Sequence, residues 1–399
     1  MFKNWKLFRR RNFLLGLGAF ASTVFFDAAT TRLTFYQKVQ AFYNSKRSFS
    51  VVSNASLRQR AAVKGLIYGA FPSVDYYSTL SGDKQLQSTF IRQCGLIVGG
   101  FYWSGTQPSA STFNFTETDS FARFASKHGM LFRGHPLVWY NLIPEWLTNK
   151  FKDPRTSSKE IENILINHVS TIVKRYAGRI HSWDVVNEAI YTEDGRTDGL
   201  GRSQWLKFLG PDYIDLAFRV AAQADPKALL VYNETALESD NPQHEARRTA
   251  VLKLLERLKS RGVPIHAFGI QSHLWGNETP FSPKKLKKFL ADVASLGLKI
   301  LVSELDVADK ELPKDIGVRD RIIASVYEDY LSVVLDEPAV IAVITWGLSD
   351  RHTWISDYAP RPDGAPVRPL PFDSNLKPKL AWNAMARAFD KAPKRTPKR

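Results

Sequence analysis

Residues 180–188 read Ile-His-Ser-Trp-Asp-Val-Val-Asn-Glu, a short β-prone run that closes on two polar side chains. Its length suits a strand, and Asn187 and Glu188 stand where that strand would end. Seven other runs follow the same plan: Leu66 to Ala70, Leu96 to Tyr102, Leu131 to His135, Ala228 to Asn233, Ala267 to His273, Ile300 to Glu304 and Val340 to Trp346. Stretches of helical period lie between them, at Asp119 to His128, Ser158 to Tyr176, Pro211 to Ala224, Gln243 to Arg261, Pro283 to Leu296 and Val318 to Leu335. Strands alternating with helices predict an α/β fold built on a parallel sheet. Eight of them predict a closed (β/α)8 TIM barrel, a single domain over residues 64–390. An open doubly wound sheet is the rival architecture, but no glycine-rich phosphate loop follows any run.

A chain of 399 residues with 44% hydrophobic and 24% charged side chains can bury a large core. Cys94 is the only cysteine, so no internal disulfide forms, and no Cys/His set has zinc-ligand spacing. The net charge of +16 could suit nucleic acid, anionic lipid or an acidic polysaccharide. Its placement argues against nucleic acid. Part of it sits at the ends, in Lys3, Lys6, Arg9, Arg10 and Arg11 and in a basic tail at 391–399. The rest lies on helix faces such as Lys284, Lys285, Lys287 and Lys288, the ordinary home of solvated charge. Residues 1–26 read as an export signal: a basic start, then the apolar stretch FLLGLGAFASTVFF at 13–26, too short to span a bilayer comfortably. Arg10-Arg11-Asn12-Phe13-Leu14 is similar to a twin-arginine signature, which implies a periplasmic or secreted protein. A general secretory signal or an uncleaved anchor is the alternative, because no A-x-A site follows, and membrane contact is expected only through such an anchor. Residues 27–63 form a lead-in segment with an amphipathic stretch from Thr34 to Tyr43.

In the predicted barrel the polar and aromatic residues that close the runs gather on the carboxyl-terminal rim, where barrel enzymes keep their chemistry. They are His135, Asn187, Glu188, Asn233, Gln271, His273, Glu304 and Trp346. Glu188 ends the fourth run and Glu304 the seventh, so the two carboxyls face each other across the mouth. Either glutamate alone would be read as a buried ion pair or a strand-end charge. Two opposed carboxyls among aromatic side chains suit glycosidic cleavage, and a gap of about 5 Å favours a retaining double displacement. Sugar rings offer flat C–H faces and hydroxyls, so such a site wants aromatic platforms beside amides and imidazoles. Trp139, Trp346 and Trp354 fall at or just past run ends and suit platforms, whereas Trp183 and Trp382 suit the core.

Five blocks carry a resemblance. They are Arg133-Gly134-His135-Pro136-Leu137-Val138-Trp139, Trp183-Asp184-Val185-Val186-Asn187-Glu188-Ala189, Gly269-Ile270-Gln271-Ser272-His273-Leu274, Ser303-Glu304-Leu305-Asp306-Val307 and Thr345-Trp346-Gly347-Leu348-Ser349-Asp350. In this order they resemble family 10 glycoside hydrolases, chiefly endo-β-1,4-xylanases. The resemblance implies Glu188 as acid/base and Glu304 as nucleophile, the latter held through His273 to Asp306. It implies Asn187 on the sugar 2-hydroxyl, with His135, Trp139, Asn233, Gln271, Trp346 and Trp354 lining the same subsite. The expected partner is a polysaccharide, xylan or a related β-glycan, acted on by a monomer without a cofactor.

The chain also departs from the family. Where the family usually has Glu-Asn-Glu-Met-Lys-Trp after the second strand, this chain has Val98-Gly99-Gly100-Phe101-Tyr102-Trp103. Asn233-Glu234-Thr235 replaces Asn-Asp-Tyr, and Tyr140 replaces a histidine. Each lost charge-assisted hydrogen bond is worth about 1.5–3 kcal/mol, so another β-linked glycan, an acidic one included, is an alternative substrate for a retaining glycosidase or transglycosylase. A non-catalytic glycan-binding barrel is a third reading, opposed by the intact Glu188, Glu304, His273 and Asp306. A two-carboxyl mechanism needs no metal. Activity is therefore expected to persist in EDTA, and a loss that added metal restores would refute this.

Overall fold

The computed structural model describes residues 47–72, 80, 82–277 and 281–395. The export signal expected at 1–26 and the amphipathic stretch from Thr34 to Tyr43 lie outside them. Among the described residues no helix is long and apolar enough to cross a membrane.

Leu96, Val98, Val231, Ala267, Leu301, Ala342 and Ile344 pack together as one buried cluster. Strand side chains alternate between faces, so one set fills an interior while its neighbours, such as Ile97, are buried beneath the surrounding helices. Eight parallel strands build that interior: β1 (Ile67–Ala70), β2 (Leu96–Gly100), β3 (Leu131–His135), β4 (Ser182–Asn187), β5 (Leu229–Glu234), β6 (Ala267–Ile270), β8 (Lys299–Ala308) and β9 (Val340–Thr345). Pairing of β6 with β8 and of β1 with β9 closes the ring. A short strand, β7 (His273–Trp275), pairs with the far end of β8. The fold is the (β/α)8 TIM barrel expected from the alternating pattern, and all its strands end on one rim.

Two runs differ from expectation. The run from Ala267 to His273 is broken, because Ser272 takes a left-handed φ of 67°. Its N–H donates to Glu238 and its hydroxyl lies 2.7 Å from the Tyr330 hydroxyl. The seventh barrel strand does not stop at Glu304 but continues to Ala308, and this extension pairs His273 with Asp306.

The helices form the outer ring. Ser158–Tyr176 has the expected limits because the Ser157 hydroxyl caps it at the Glu160 N–H. Pro242–Ser260 and Pro283–Ser295 begin on capping Asn241 and Ser282 and are followed by left-handed Gly262 and Gly297. Helices at Leu57–Val63 and Leu380–Lys391, not singled out from the sequence, bring the two ends of the domain together through an Arg60–Asp390 ion pair. Near the chain end, Arg395 donates to the carbonyls of Val340 and Leu335.

Trp183 is fully buried, and its ring lies against Gly134 of the neighbouring strand. A methyl group at Gly134 would stand 2.0 Å from the Trp183 ring. Gly134→Ala is expected to destabilise the fold by about 1–3 kcal/mol, read as a lower urea midpoint at unchanged slope. An unaltered midpoint would show that the contact is not tight.

Candidate active site

Parallel strands in a closed ring place the carboxyl-terminal ends of β3, β4 and β5 side by side. His135, Asn187 and Asn233 therefore meet at one rim, with Glu188 immediately after β4 and Glu304 on β8. Glu304 is buried and Glu188 half-buried.

One chain of hydrogen bonds joins the two carboxyls. Gln271 Nε2 donates to Glu188 Oε1 at 2.9 Å and to Asn187 Oδ1 at 3.2 Å. From the other side Asn233 Nδ2 donates to Asn187 Oδ1 at 2.9 Å and to Glu304 Oε1 at 2.7 Å. The Asn187 carbonyl is thus the shared acceptor, and Ser303 Oγ holds the Asn233 amide by donating to its Oδ1 at 2.6 Å. Trp139 Nε1 donates to the second oxygen of Glu188 at 2.9 Å, and its backbone carbonyl is held by Trp205 Nε1 at 3.0 Å.

Glu304 faces imidazole rings as well as an amide. His273 Nε2 lies 3.3 Å from Glu304 Oε2, and its Nδ1 lies 3.0 Å from Asp306 Oδ1. Ionised carboxylates only accept, so a ring between two of them carries both protons. Burial works against that charge, yet Asp306 and Glu304 hold the His273 pKa well above the ordinary histidine value. Conversely, burial would raise Glu304, but His135, His273 and Asn233 keep it below the usual carboxylate value. Asp306 is fixed by Trp354 Nε1 at 2.7 Å, and the Trp354 ring meets His273 edge-on at 4.9 Å.

All the aromatic residues anticipated for the site stand around these groups. Trp346 stacks on Phe71 at 4.0 Å and meets His135 at 4.9 Å, capping the barrel interior. Tyr102, from the segment after β2, lies 5.7 Å from His135 and 6.1 Å from Trp139, ring to ring. Val98 packs in the interior, and Phe132 occupies the space a side chain at Gly99 would need. Tyr140 is half exposed, and the negative charge of Glu188 is the main cause holding its phenol proton on. Trp183 and Trp382 are buried away from the rim, with Trp382 Nε1 donating to Gln93.

Several participants have roles not anticipated from the sequence. Asp184 accepts from His135 Nδ1 at 2.8 Å and is paired with buried Arg133, which also donates to Ser182 Oγ at 2.9 Å. A charge inside an apolar run needs a partner, so Asp184 and Arg133 in adjacent runs carried a readable signal. Glu234 and Glu238 are also buried, and each accepts backbone N–H groups beside a rim residue. No spacing rule points to them. Among the described residues no group of His, Cys, Asp and Glu side chains is arranged to hold a metal ion.

A family model for glycosyl hydrolase family 10 matches residues 56–388. Endo-1,4-beta-xylanase B of Thermotoga neapolitana is 35% identical over 283 residues, covering 71% of this chain and 76% of that protein. Endo-1,4-beta-xylanase A of Caldicellulosiruptor saccharolyticus is 36% identical over 282 residues, covering 69% and 80%. The crystal structure of native xylanase 10B from Thermotoga maritima superposes with a TM-score of 0.75 at 30% identity, covering 84% of this chain and 98% of that one. This rim of opposed carboxyls on a closed barrel therefore belongs to a glycoside hydrolase. The chain is a member of glycosyl hydrolase family 10.

The His273 charge has a testable consequence. A proton bound more tightly in the folded state adds stability that is complete below the unfolded histidine value of about 6.5 and fades as pH rises through the folded value. Asp306→Asn is expected to lower the His273 pKa, read by imidazole NMR, and to cost more stability near pH 6 than near pH 10. A native imidazole that titrates at its ordinary value would refute the ion-pair reading.

Proposed function

We propose that this chain is an endo-acting β-1,4-xylanase that cleaves internal β-1,4-xylosidic bonds with retention. Glu304 is the nucleophile and Glu188 the acid/base. The observation that carries this reading is the different dressing of two carboxyls joined by one amide chain. Glu304 is held ionised by an imidazolium and an amide, whereas Glu188 meets neutral groups, the Trp139 indole, the Gln271 amide and the Tyr140 hydroxyl. The relatives named as xylanases support the substrate.

In the first step Glu304 Oε attacks the anomeric carbon as Glu188 gives its proton to the departing glycosidic oxygen. A covalent glycosyl ester forms on Glu304. Glu188, now a carboxylate, takes a proton from water, and the resulting hydroxide equivalent displaces Glu304 with a second inversion. The Asn187 carbonyl is occupied by Gln271 and Asn233, which leaves its Nδ2 to donate to the sugar 2-hydroxyl. His135, Gln271, Trp139, Trp346 and Trp354 surround the ring, and Asn233 steadies the nucleophile.

A second reading is a retaining hydrolase or transglycosylase acting on another β-linked glycan. Val98, Gly99, Gly100 and Tyr102 favour it, because they offer the sugar no carboxylate, carboxamide or ammonium group.

Xylan should yield oligosaccharides whose new reducing ends are first β, read by NMR. Glu304→Ala should reduce hydrolysis to background. Equal rates in the mutant, or α products first, would reject the nucleophile. Turnover of another β-glycan with xylan untouched would select the second reading.

A further inference from the structure

Immediately after β4 the backbone does something costly. Glu188 has a left-handed φ of 53°, a conformation that costs a residue other than glycine about 1–3 kcal/mol and persists only where the surroundings over-determine it. The surroundings here are the end of β5. Three successive backbone N–H groups donate to three successive β5 residues: Glu188 to the Asn233 carbonyl at 2.9 Å, Ala189 to the Tyr232 hydroxyl at 3.2 Å and Ile190 to Glu234 Oε2 at 3.0 Å. The Tyr232 hydroxyl donates in turn to Glu234 Oε2 at 2.5 Å, and Thr235 N–H donates to Glu234 Oε1 at 3.0 Å.

Glu234 is therefore the keystone of the turn. It has no solvent exposure, and among the described residues it forms no salt bridge. Burial pushes its carboxyl up to about 7 against the three donors that favour the ionised form. A carboxylate accepts all three bonds at once; an uncharged amide of the same shape offers one acceptor oxygen.

We propose that Glu234, acting through Tyr232 and the Ile190 N–H, is a positioning residue for Glu188: it locks the left-handed turn that aims the Glu188 carboxyl at the glycosidic oxygen. This rests on Glu188 being the acid. Loosening the turn misplaces a proton donor without touching the nucleophile, so the damage falls on steps that need the proton. A glutamate that only stabilised the fold would lower all steps alike.

The test uses the full chain and kcat/KM, which reports the first chemical step, on two aryl β-xylobiosides. The phenyl leaving group needs a proton, and the 2,4-dinitrophenyl group departs without one. Glu234→Gln is expected to lose about 10- to 100-fold on the phenyl substrate and less than about threefold on the dinitrophenyl one, a part of the roughly 10²- to 10⁴-fold that general acid catalysis supplies. Tyr232→Phe, a milder change that keeps the ring, should show the same selectivity at smaller size. Glu188→Ala is the reference. If Glu188→Ala is selective and neither Glu234→Gln nor Tyr232→Phe is, the inference is overturned and the acid assignment stands. If Glu188→Ala itself lowers both substrates equally, the acid assignment falls and the inference falls with it.

Discussion

The rest of the site hangs on the imidazolium of His273 held between Glu304 and Asp306. Burial by itself would raise the Glu304 carboxyl, and His273 acts with His135 and Asn233 to hold it below the usual carboxylate value. The His273 charge is itself held by Glu304 on one side and by a second carboxylate, Asp306, on the other. Asp306 is in turn held by the Trp354 indole, so the aromatic wall of the pocket and its electrostatics are one construction. The arrangement depends on a detail of the barrel: β8 runs four residues past Glu304, and β7 pairs with that extension.

The two carboxyls share a framework but not an environment. Asn187 accepts from both Gln271 and Asn233, which makes its carbonyl the midpoint of a symmetric bridge. One end of the bridge reaches a glutamate beside the His273 imidazolium, the other a glutamate met by indole, amide and phenol groups. Separation of roles between two like residues is achieved by what lies beyond the bridge, as acid/base pairs generally require. His135 adds to this asymmetry. Its Nδ1 is taken by Asp184, and Asp184 is balanced by Arg133, so a charged pair buried between β3 and β4 sets the ring that faces Glu304.

Backbone strain recurs where the chemistry is. Glu188 and Ser272, both left-handed, sit at the rim next to residues of the site, and each is braced by a buried glutamate from the end of β5 or the loop after it. Glu234 serves the turn after β4, and Glu238 accepts the Ser272 N–H between Gln271 and His273. Over-determination by buried hydrogen bonds is what such conformations need in order to persist.

The class of fold, most strand positions and the identities of the groups that meet were legible in the order of residues. Alternation of short apolar runs with helical stretches is a local property, dictated by which faces of a strand or helix are buried, and it needs no knowledge of distant contacts. Polar residues at run ends marked the rim for the same reason. How those groups are wired emerged from the folded barrel. The break at Ser272, the extension of β8, the pairing of Asp184 with Arg133 and the brace at Glu234 join residues up to 58 positions apart in the chain. Such bonds depend on strand register and on left-handed backbone angles, and neither leaves a period in the sequence. Glu234 shows the division plainly: as a letter it is one acidic residue beside Asn233, and only the closed barrel turns it toward the Ile190 N–H.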